Sequence, residues 1–138
     1  MSPASALPNA MSNPPNPLEK VPVRRVDKPW GHELIFAHTD RYAGKLLVIK
    51  AGHRLSRQYH QRKDEAFFVQ SGRAQVELET PDGKKATVIL EPGDALRLTP
   101  GIRHLTMAIV DTVIFEVSTP ELDDVVRLSD DYGRIEGK

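Results

Sequence analysis

The chain has 138 residues, enough for one domain with a single core of ordinary size. Lys and Arg together number 19, as do Asp and Glu, and no block of one sign resembles the basic clusters that bind nucleic acids or anionic membranes. Cysteine is absent, which excludes disulfides, thiolate catalysis and cysteine-based zinc sites. No apolar run approaches the roughly 18 residues of a membrane helix. We therefore expect a cytoplasmic protein that binds a small molecule, and neither a nucleic acid nor a membrane.

The first 22 residues differ in composition from the rest of the chain. They hold six of the eleven prolines, together with Ser, Asn and Ala, and few large apolar residues. Such a segment cannot bury enough surface to offset the entropy lost on ordering. We predict a disordered, Pro-rich N-terminal arm over residues 1–22 and a single domain over residues 23–138.

Eight short runs rich in β-branched and aromatic residues follow, separated by turn sequences that contain Gly, Pro or Asp. The runs are ELIFA, GKLLVIK, EAFFVQS, RAQVELE, KKATVIL, ALRLT, HLTMAIV and TVIFEVS. Their regular spacing predicts an all-β sandwich or small barrel. The PDG of residues 81–83 predicts a tight hairpin, and the TPG of residues 99–101 predicts a type II turn. For residues 120–134 two possibilities stay open, one turn of helix or a segment lying flat against the barrel.

Four polar side chains have the spacing of a metal site. Gln58 and His60 project from the same face of an extended strand, roughly 7 Å apart. Glu65 opens the next strand, and we expect it to face His60 across a hairpin. His104 follows the predicted turn, and we expect it to reach the others from across the barrel. Two imidazoles, a carboxylate and an amide oxygen suit a divalent first-row metal ion. The alternative is that His60 and His104 are separate surface histidines and Glu65 is a charge that begins a strand.

Regularly placed glycines surround these four residues and complete a known pattern. Residues 52–72 match the first motif of the cupin superfamily, with Gln58 in place of its first histidine. Residues 93–104 match the second motif, except that Thr99 stands where the superfamily usually has Pro. The sequence therefore resembles the cupins, and the resemblance implies a single-domain jelly-roll barrel, also called a double-stranded β-helix.

A closer resemblance is to the C-terminal cupin domain of type II mannose-6-phosphate isomerases. It is carried by KPWG at residues 28–31, LSxQxH at residues 55–60, DD-V-R at residues 123–127 and D-YGR at residues 131–134. The resemblance implies a homodimer and a divalent metal ion (Zn, Mn, Fe or Ni) held by Gln58, His60, Glu65 and His104. Two further histidines of the isomerase motif are absent here, and Lys63 stands where those domains have Arg. The resemblance therefore supports the predicted metal ligands more strongly than it supports the predicted substrate.

The function implied is isomerisation or epimerisation of a small sugar or sugar phosphate. A metal ion would hold adjacent sugar oxygens while a general base moves a proton between neighbouring carbons. Lys63 and Tyr59 are the candidates for that catalytic role, and Lys45 and Arg134 are the candidates for substrate binding. Two alternatives stay open: an Fe(II)-dependent cupin dioxygenase, and a cupin that binds a metal or small molecule without catalysis.

Overall fold

The computed structural model describes residues 18–135, so residues 1–17 of the predicted arm and the last three residues lie outside the described part of the chain. Residues 18–23 are exposed, and the first strand begins at Arg24. Within residues 18–135 no helix is long and apolar enough to cross a membrane. The strands are β1 Arg24–Lys28, β2 Gly31–His38, β3 Ala43–Ile49, β4 Arg57–Tyr59, β5 Glu65–Ser71, β6 Ala74–Glu79, β7 Lys85–Leu90, β8 Ala95–Leu98, β9 Arg103–Ala108, β10 Thr112–Ser118 and β11 Val126–Ser129.

The strands form two antiparallel sheets. One sheet has five strands in the order β11-β4-β9-β6-β7, and the other has six in the order β1-β2-β3-β10-β5-β8. The predicted all-β jelly-roll fold is confirmed. Strands form at all eight predicted runs, and β4 is the extended segment expected at Gln58, whereas β1 and β11 are additional. The tail forms strand β11, which pairs with β4, so it lies against the barrel and is not a helical turn.

The space between the sheets is apolar in one part and polar in another. Side chains alternate along each strand, so on β3 Lys45 faces inward together with Leu47 and Ile49. On β5 the inward series starts with Glu65 and continues through apolar residues. Most of the buried apolar side chains form one cluster: Trp30, Leu47, Ile49, Phe67, Val69, Ala74, Val76, Leu90, Leu98, Ala108 and Ile114. The buried charged side chains lie beside this core and line a cavity.

Two predicted turns form as expected. Gly83 has φ +91° in the connection between β6 and β7, which pair along their length. Ile102 N–H donates to the Thr99 carbonyl at 3.2 Å, with Gly101 at φ +90°, as a type II turn requires. The amide of Gly101 also donates to the carbonyl of His60 at 2.8 Å. This second bond ties the turn before β9 to the end of β4 and brings two histidine-bearing segments together.

Candidate metal centre

The four predicted ligands come from both sheets. Gln58 on β4 and His104 on β9 are direct cross-strand partners, and His60 immediately follows β4. Glu65 begins β5 in the opposite sheet. The expectations of a β4–β5 hairpin and of His104 reaching across the barrel are therefore wrong, because residues 60–64 cross from one sheet to the other. Glu65 is the ligand that reaches across.

Three of these side chains converge in a buried site. Nε2 of His60 lies 2.7 Å from Oε2 of Glu65, and Nε2 of His104 lies 3.5 Å from the same oxygen. The two imidazole rings are 5.2 Å apart, centre to centre. Each of the three side chains is at most 4% exposed. One ligand atom from each lies within 4.8 Å of the others, a spacing that can hold a metal ion.

Backbone carbonyls orient both histidines. Nδ1 of His60 faces the carbonyl oxygen of Asp124 at 2.6 Å, and Nδ1 of His104 faces that of Ile102 at 3.1 Å. A neutral imidazole has a single N–H, and donating it from Nδ1 leaves the Nε2 lone pair toward Glu65. A lone pair cannot hydrogen-bond to a carboxylate, so the 2.7 Å contact between Nε2 of His60 and Glu65 needs a cation, which is either a metal ion or a proton on Nε2. The donor set therefore fits a divalent metal ion, with its imidazoles fixed by hydrogen bonds to their other nitrogens.

The electrostatics favour the forms of His104 and Glu65 that bind metals. Burial lowers the pKa of His104 to about 4, so its imidazole is neutral at pH 7. Burial alone would raise the pKa of Glu65, but the hydrogen bond with His60 and the charge of Lys63 outweigh burial. The pKa of Glu65 is therefore well below its usual range, and the side chain is a carboxylate.

Gln58, the fourth predicted ligand, lies at the side of this group. Its side chain is half-buried and lines the same cavity as the two histidines and Glu65. Its amide nitrogen donates to Oγ of Ser56 at 3.1 Å, and the Ser56 side chain is itself buried. The amide oxygen is thus the group that Gln58 can offer to a metal ion.

A buried chain of alternating charges leads away from Glu65. Nζ of Lys63 lies 3.3 Å from Oε1 of Glu65 and 3.3 Å from Oε2 of Glu116. Nζ of Lys45 lies 3.9 Å from Oε2 of Glu116 and 3.2 Å from Oε2 of Glu33. Burial lowers the pKa of Lys63, but the two carboxylates outweigh burial and raise it above normal. Burial raises the pKa of Glu116 to about 7, an increase that Lys45 opposes.

These groups line a cavity of about 180 Å³ between the two sheets. The volume is below the roughly 300–1,000 Å³ of drug-sized ligand sites, so its ligand is small. Six cationic and four anionic side chains line it, a formal excess of two positive charges: Arg24, Lys28, Lys45, Lys63, Arg127 and Arg134 against Glu33, Glu65, Glu116 and Asp123. The excess favours a ligand with negative charge.

Comparison with known proteins identifies the family. Residues 18–130 match the family described as mannose-6-phosphate isomerase C-terminal. The chain belongs to this family of cupins. It is 33% identical over 117 residues to a mannose-1-phosphate guanylyltransferase of Escherichia coli strain K12, an alignment covering 81% of this cupin and 23% of the relative. A protein of the same name from Salmonella montevideo is 27% identical over 121 residues, covering 84% and 25%. The cupin thus spans about a quarter of each relative's length.

Solved structures share the fold. KdgF from Halomonas sp. aligns with a TM-score of 0.62 at 26% identity, covering 72% of this cupin and 88% of that chain. CapF, a capsular polysaccharide assembling protein of Staphylococcus aureus, aligns with a TM-score of 0.66 at 19% identity, covering 78% and 32%. Oxalate decarboxylase of Bacillus subtilis aligns with a TM-score of 0.68 at 15% identity, covering 77% and 30%. The last two likenesses concern the fold alone.

The remaining predicted site residues occupy different places in the cupin. Lys63, Lys45 and Arg134 line the cavity. The guanidinium of Arg134 is held by Asp130, through hydrogen bonds of 2.9 and 2.8 Å. Tyr59 is outside the cavity lining, and the guanidinium carbon of Arg103 lies 5.8 Å from the centre of its ring. The structure thus brings Lys63 next to the candidate metal ligands and does not bring Tyr59 there.

Glu116 and Asp124 are among the site residues that were not predicted from the sequence. Glu116 lies in the run TVIFEVS, where a single charge among apolar residues was the available signal. Asp124 lies in the quoted DD-V-R segment, and its carboxylate accepts hydrogen bonds from the amides of residues 61–63 at 3.1, 2.6 and 2.8 Å. Asp124 thereby anchors the loop that joins His60 to Glu65.

Proposed function

We propose that this cupin is a metal-dependent isomerase or epimerase of a small sugar or sugar phosphate. The observation that carries the proposal is the position of Glu116, a buried carboxylate in the same cavity as the two histidines and Glu65 but outside the metal-binding group. A site with a metal ion and a separate acid–base group suits proton transfer next to a carbonyl. Membership in the mannose-6-phosphate isomerase C-terminal family and relatives named for mannose 1-phosphate support a sugar substrate.

The metal ion would be held by His60, Glu65 and His104, with the amide oxygen of Gln58 as a further ligand. A divalent ion bound there would polarise the carbonyl oxygen of the open-chain sugar. Only one of these ligands carries a negative charge, so the centre keeps a net positive charge. Zn, Mn, Fe and Ni all accept this mixture of nitrogen and oxygen ligands.

Glu116 would move the proton. Lys63 lies within 3.3 Å of two carboxylates, which hold it as an ammonium, so it cannot accept a proton and serves to position Glu116. The Glu116 carboxylate takes the proton from the carbon next to the carbonyl, and the electron pair of that C–H bond shifts toward the carbonyl group. Return of the proton to the neighbouring carbon, with the hydroxyl proton passing from one oxygen to the other, completes isomerisation. Delivery of a solvent proton to the opposite face of the same carbon, while Glu116 keeps the proton it removed, completes epimerisation.

The test is turnover in deuterated water, followed by NMR. The metal-loaded protein is incubated with free and phosphorylated aldoses and ketoses, and we expect an isomer carrying deuterium at the carbon next to the carbonyl. Glu116→Gln should lower the rate by at least about 100-fold, the usual range for loss of a general base. The variant should keep the metal content of the wild type. Absence of product and of deuterium with every sugar tested would contradict the proposal.

Fe(II)-dependent oxygen chemistry is the second candidate function. It is favoured by the two histidines and one carboxylate, the ligand set of many non-haem Fe(II) oxygenases. An oxygen electrode distinguishes the two candidates. Isomerisation proceeds at the same rate under nitrogen, whereas metal-dependent oxygen uptake with an organic substrate would favour the oxygenase. Saturable binding without turnover would favour a cupin that only binds its ligand.

A further inference from the structure

The edges of the two sheets contribute cations to one side of the cavity. Strand β1 is an edge of the six-stranded sheet, and β11 is an edge of the five-stranded sheet. Arg24 and Lys28 on β1 line the cavity, as do Arg127 on β11 and Arg134 shortly after it. Arg24 is exposed, so the cavity reaches solvent on this side. A positively charged rim therefore lies between the two edge strands.

Lys28 differs from the two cavity lysines that are deeply buried. Within residues 18–135 no carboxylate lies within salt-bridge distance of its ammonium, whereas Lys45 and Lys63 each have two. Glu33 attracts Lys28 from farther away, but that carboxylate is already 3.2 Å from Lys45. Burial lowers the pKa of Lys28 despite Glu33, and the neighbouring cations Lys45, Arg127 and Arg134 lower it further. Lys28 is thus a partly buried cation among other cations, an arrangement that an anion would stabilise.

We infer that Lys28, Arg127 and Arg134 form a subsite for the oxyanionic group of the substrate, a phosphate or a carboxylate. Asp130 holds the Arg134 guanidinium in place. Charged N–H donors form strong hydrogen bonds with such oxyanions. The inference rests on the proposed function only in assigning the anion to the substrate; binding of a free anion is independent of turnover.

The position of this subsite sets the orientation of the substrate. The rim cations lie on the edge strands or shortly after them and are exposed or half-buried, whereas His60 and Glu65 are each 3% exposed. The anionic group would therefore remain near solvent while the carbonyl end enters the cavity toward Glu116. Lys45, the lysine favoured by the sequence pattern, instead balances the charges of Glu33 and Glu116.

The experiment titrates the full, metal-loaded protein with inorganic phosphate and, separately, with acetate, by calorimetry. We expect saturable binding of at least one anion, and Lys28→Gln should weaken it at least about tenfold, the cost of losing one charged hydrogen bond. Lys28→Arg should keep the affinity within a few-fold. Arg25→Gln is the matched control, because Arg25 is an exposed cation of the same strand that pairs with Asp27 at 2.9 Å and is outside the cavity lining. It should leave the affinity unchanged.

The outcomes separate this subsite from the proposed activity. Tighter binding of phosphate than of acetate would indicate that the substrate is a sugar phosphate. Tighter binding of acetate would indicate that it is a sugar acid. Equal affinities of wild type and a folded Lys28→Gln variant, or no saturable binding of either anion, would overturn the subsite. Anion binding that depends on Lys28, without turnover of any sugar, would support the subsite and contradict the proposed isomerase activity.

Discussion

The backbone carbonyl of Asp124 lies 2.6 Å from Nδ1 of His60 and accepts its hydrogen bond. The same residue binds the amides of residues 61–63 with its carboxylate. One residue of the tail therefore fixes both the ring of His60 and the loop that leads to Glu65. The candidate metal centre therefore depends on a segment that contributes no metal ligand. Groups that hydrogen-bond to metal-bound imidazoles commonly support a site in this way.

Replacing Asp124 tests this dependence. Asp124→Ala keeps the carbonyl that faces His60 but removes the carboxylate that anchors the loop, so it should weaken metal binding by about 10-fold, the low end of the range for groups that orient metal ligands. It should also lower the free energy of unfolding by about 1–3 kcal/mol, because the amide of the buried Lys63 and those of the exposed residues 61 and 62 lose their acceptor. Metal titration and chemical denaturation measure the two effects. Asp123→Asn, at an exposed neighbour, is the control for stability. An Asp124→Ala variant with wild-type affinity would show that the loop holds its shape without this carboxylate.

The lowered pKa of His104 predicts a pH dependence of the metal-free protein. The imidazole has a pKa of about 4 when folded and about 6.5 when unfolded. Between these values the unfolded chain binds a proton that the folded chain does not, so stability is lost as the pH falls from 6.5 to 4. Over this pH range the free energy of unfolding of the wild type should fall by about 3 kcal/mol more than that of His104→Gln, which lacks the titrating imidazole. The same pH dependence of the free energy of unfolding in the wild type and in His104→Gln would contradict this prediction.

Gln58 should be the weakest of the four ligands. Its neutral amide oxygen is a poorer donor than an imidazole or a carboxylate. Gln58→Ala should therefore weaken metal binding less than His60→Ala does, and Gln58→His should restore or strengthen it. Competition with a coloured chelator measures the three affinities. Wild-type affinity in Gln58→Ala would remove Gln58 from the ligand set.

The two glycines that bound the first motif should differ in their tolerance of a side chain. Both have positive φ, +80° at Gly52 and +90° at Gly72. A Cβ at Gly72 would lie 2.3 Å from the carbonyl oxygen of Asp111, whereas at Gly52 nothing lies within 4 Å. Gly52→Ala should cost about 1–2 kcal/mol from its backbone angle alone. Gly72→Ala should cost clearly more by chemical denaturation, and equal costs would contradict this account.

The strands were largely predictable from the sequence because long alternating runs have a clear period. Two strands were not predicted: β11 has four residues and β1 has five. The strand expected at Gln58 and His60 forms only over the three residues of β4. These segments hold at most two apolar residues each, RRVDK, RQY and VRLS, so they lack the apolar content of the eight predicted runs. They exist because they pair with a neighbouring strand, and that pairing is not visible in the local sequence.

The sequence spacing predicted the four candidate ligands but not their arrangement. Which sheet each strand joins depends on long-range pairing, so the crossing of residues 60–64 could not be foreseen. The position of Glu116 in the site could not be predicted for a similar reason. Val113, Phe115 and Val117 on β10 are as apolar as the inward-facing Ile114, so the run does not reveal which face is buried. Likewise, only the folded chain pairs Lys45 with two carboxylates and, among the described residues, leaves Lys28 without one.

Metal content is the measurement that tests the candidate centre most directly. The protein is stripped with a chelator, reloaded with Zn, Mn, Fe or Ni, dialysed and analysed by mass spectrometry for bound metal. We expect stoichiometric retention of at least one of these metals by the wild type, and loss of retention in the His60→Ala, His104→Ala double variant, because two of the three converging ligands are removed. Circular dichroism checks that the variant is folded. Equal metal content in the two proteins, or no retained metal in the wild type, would contradict the account.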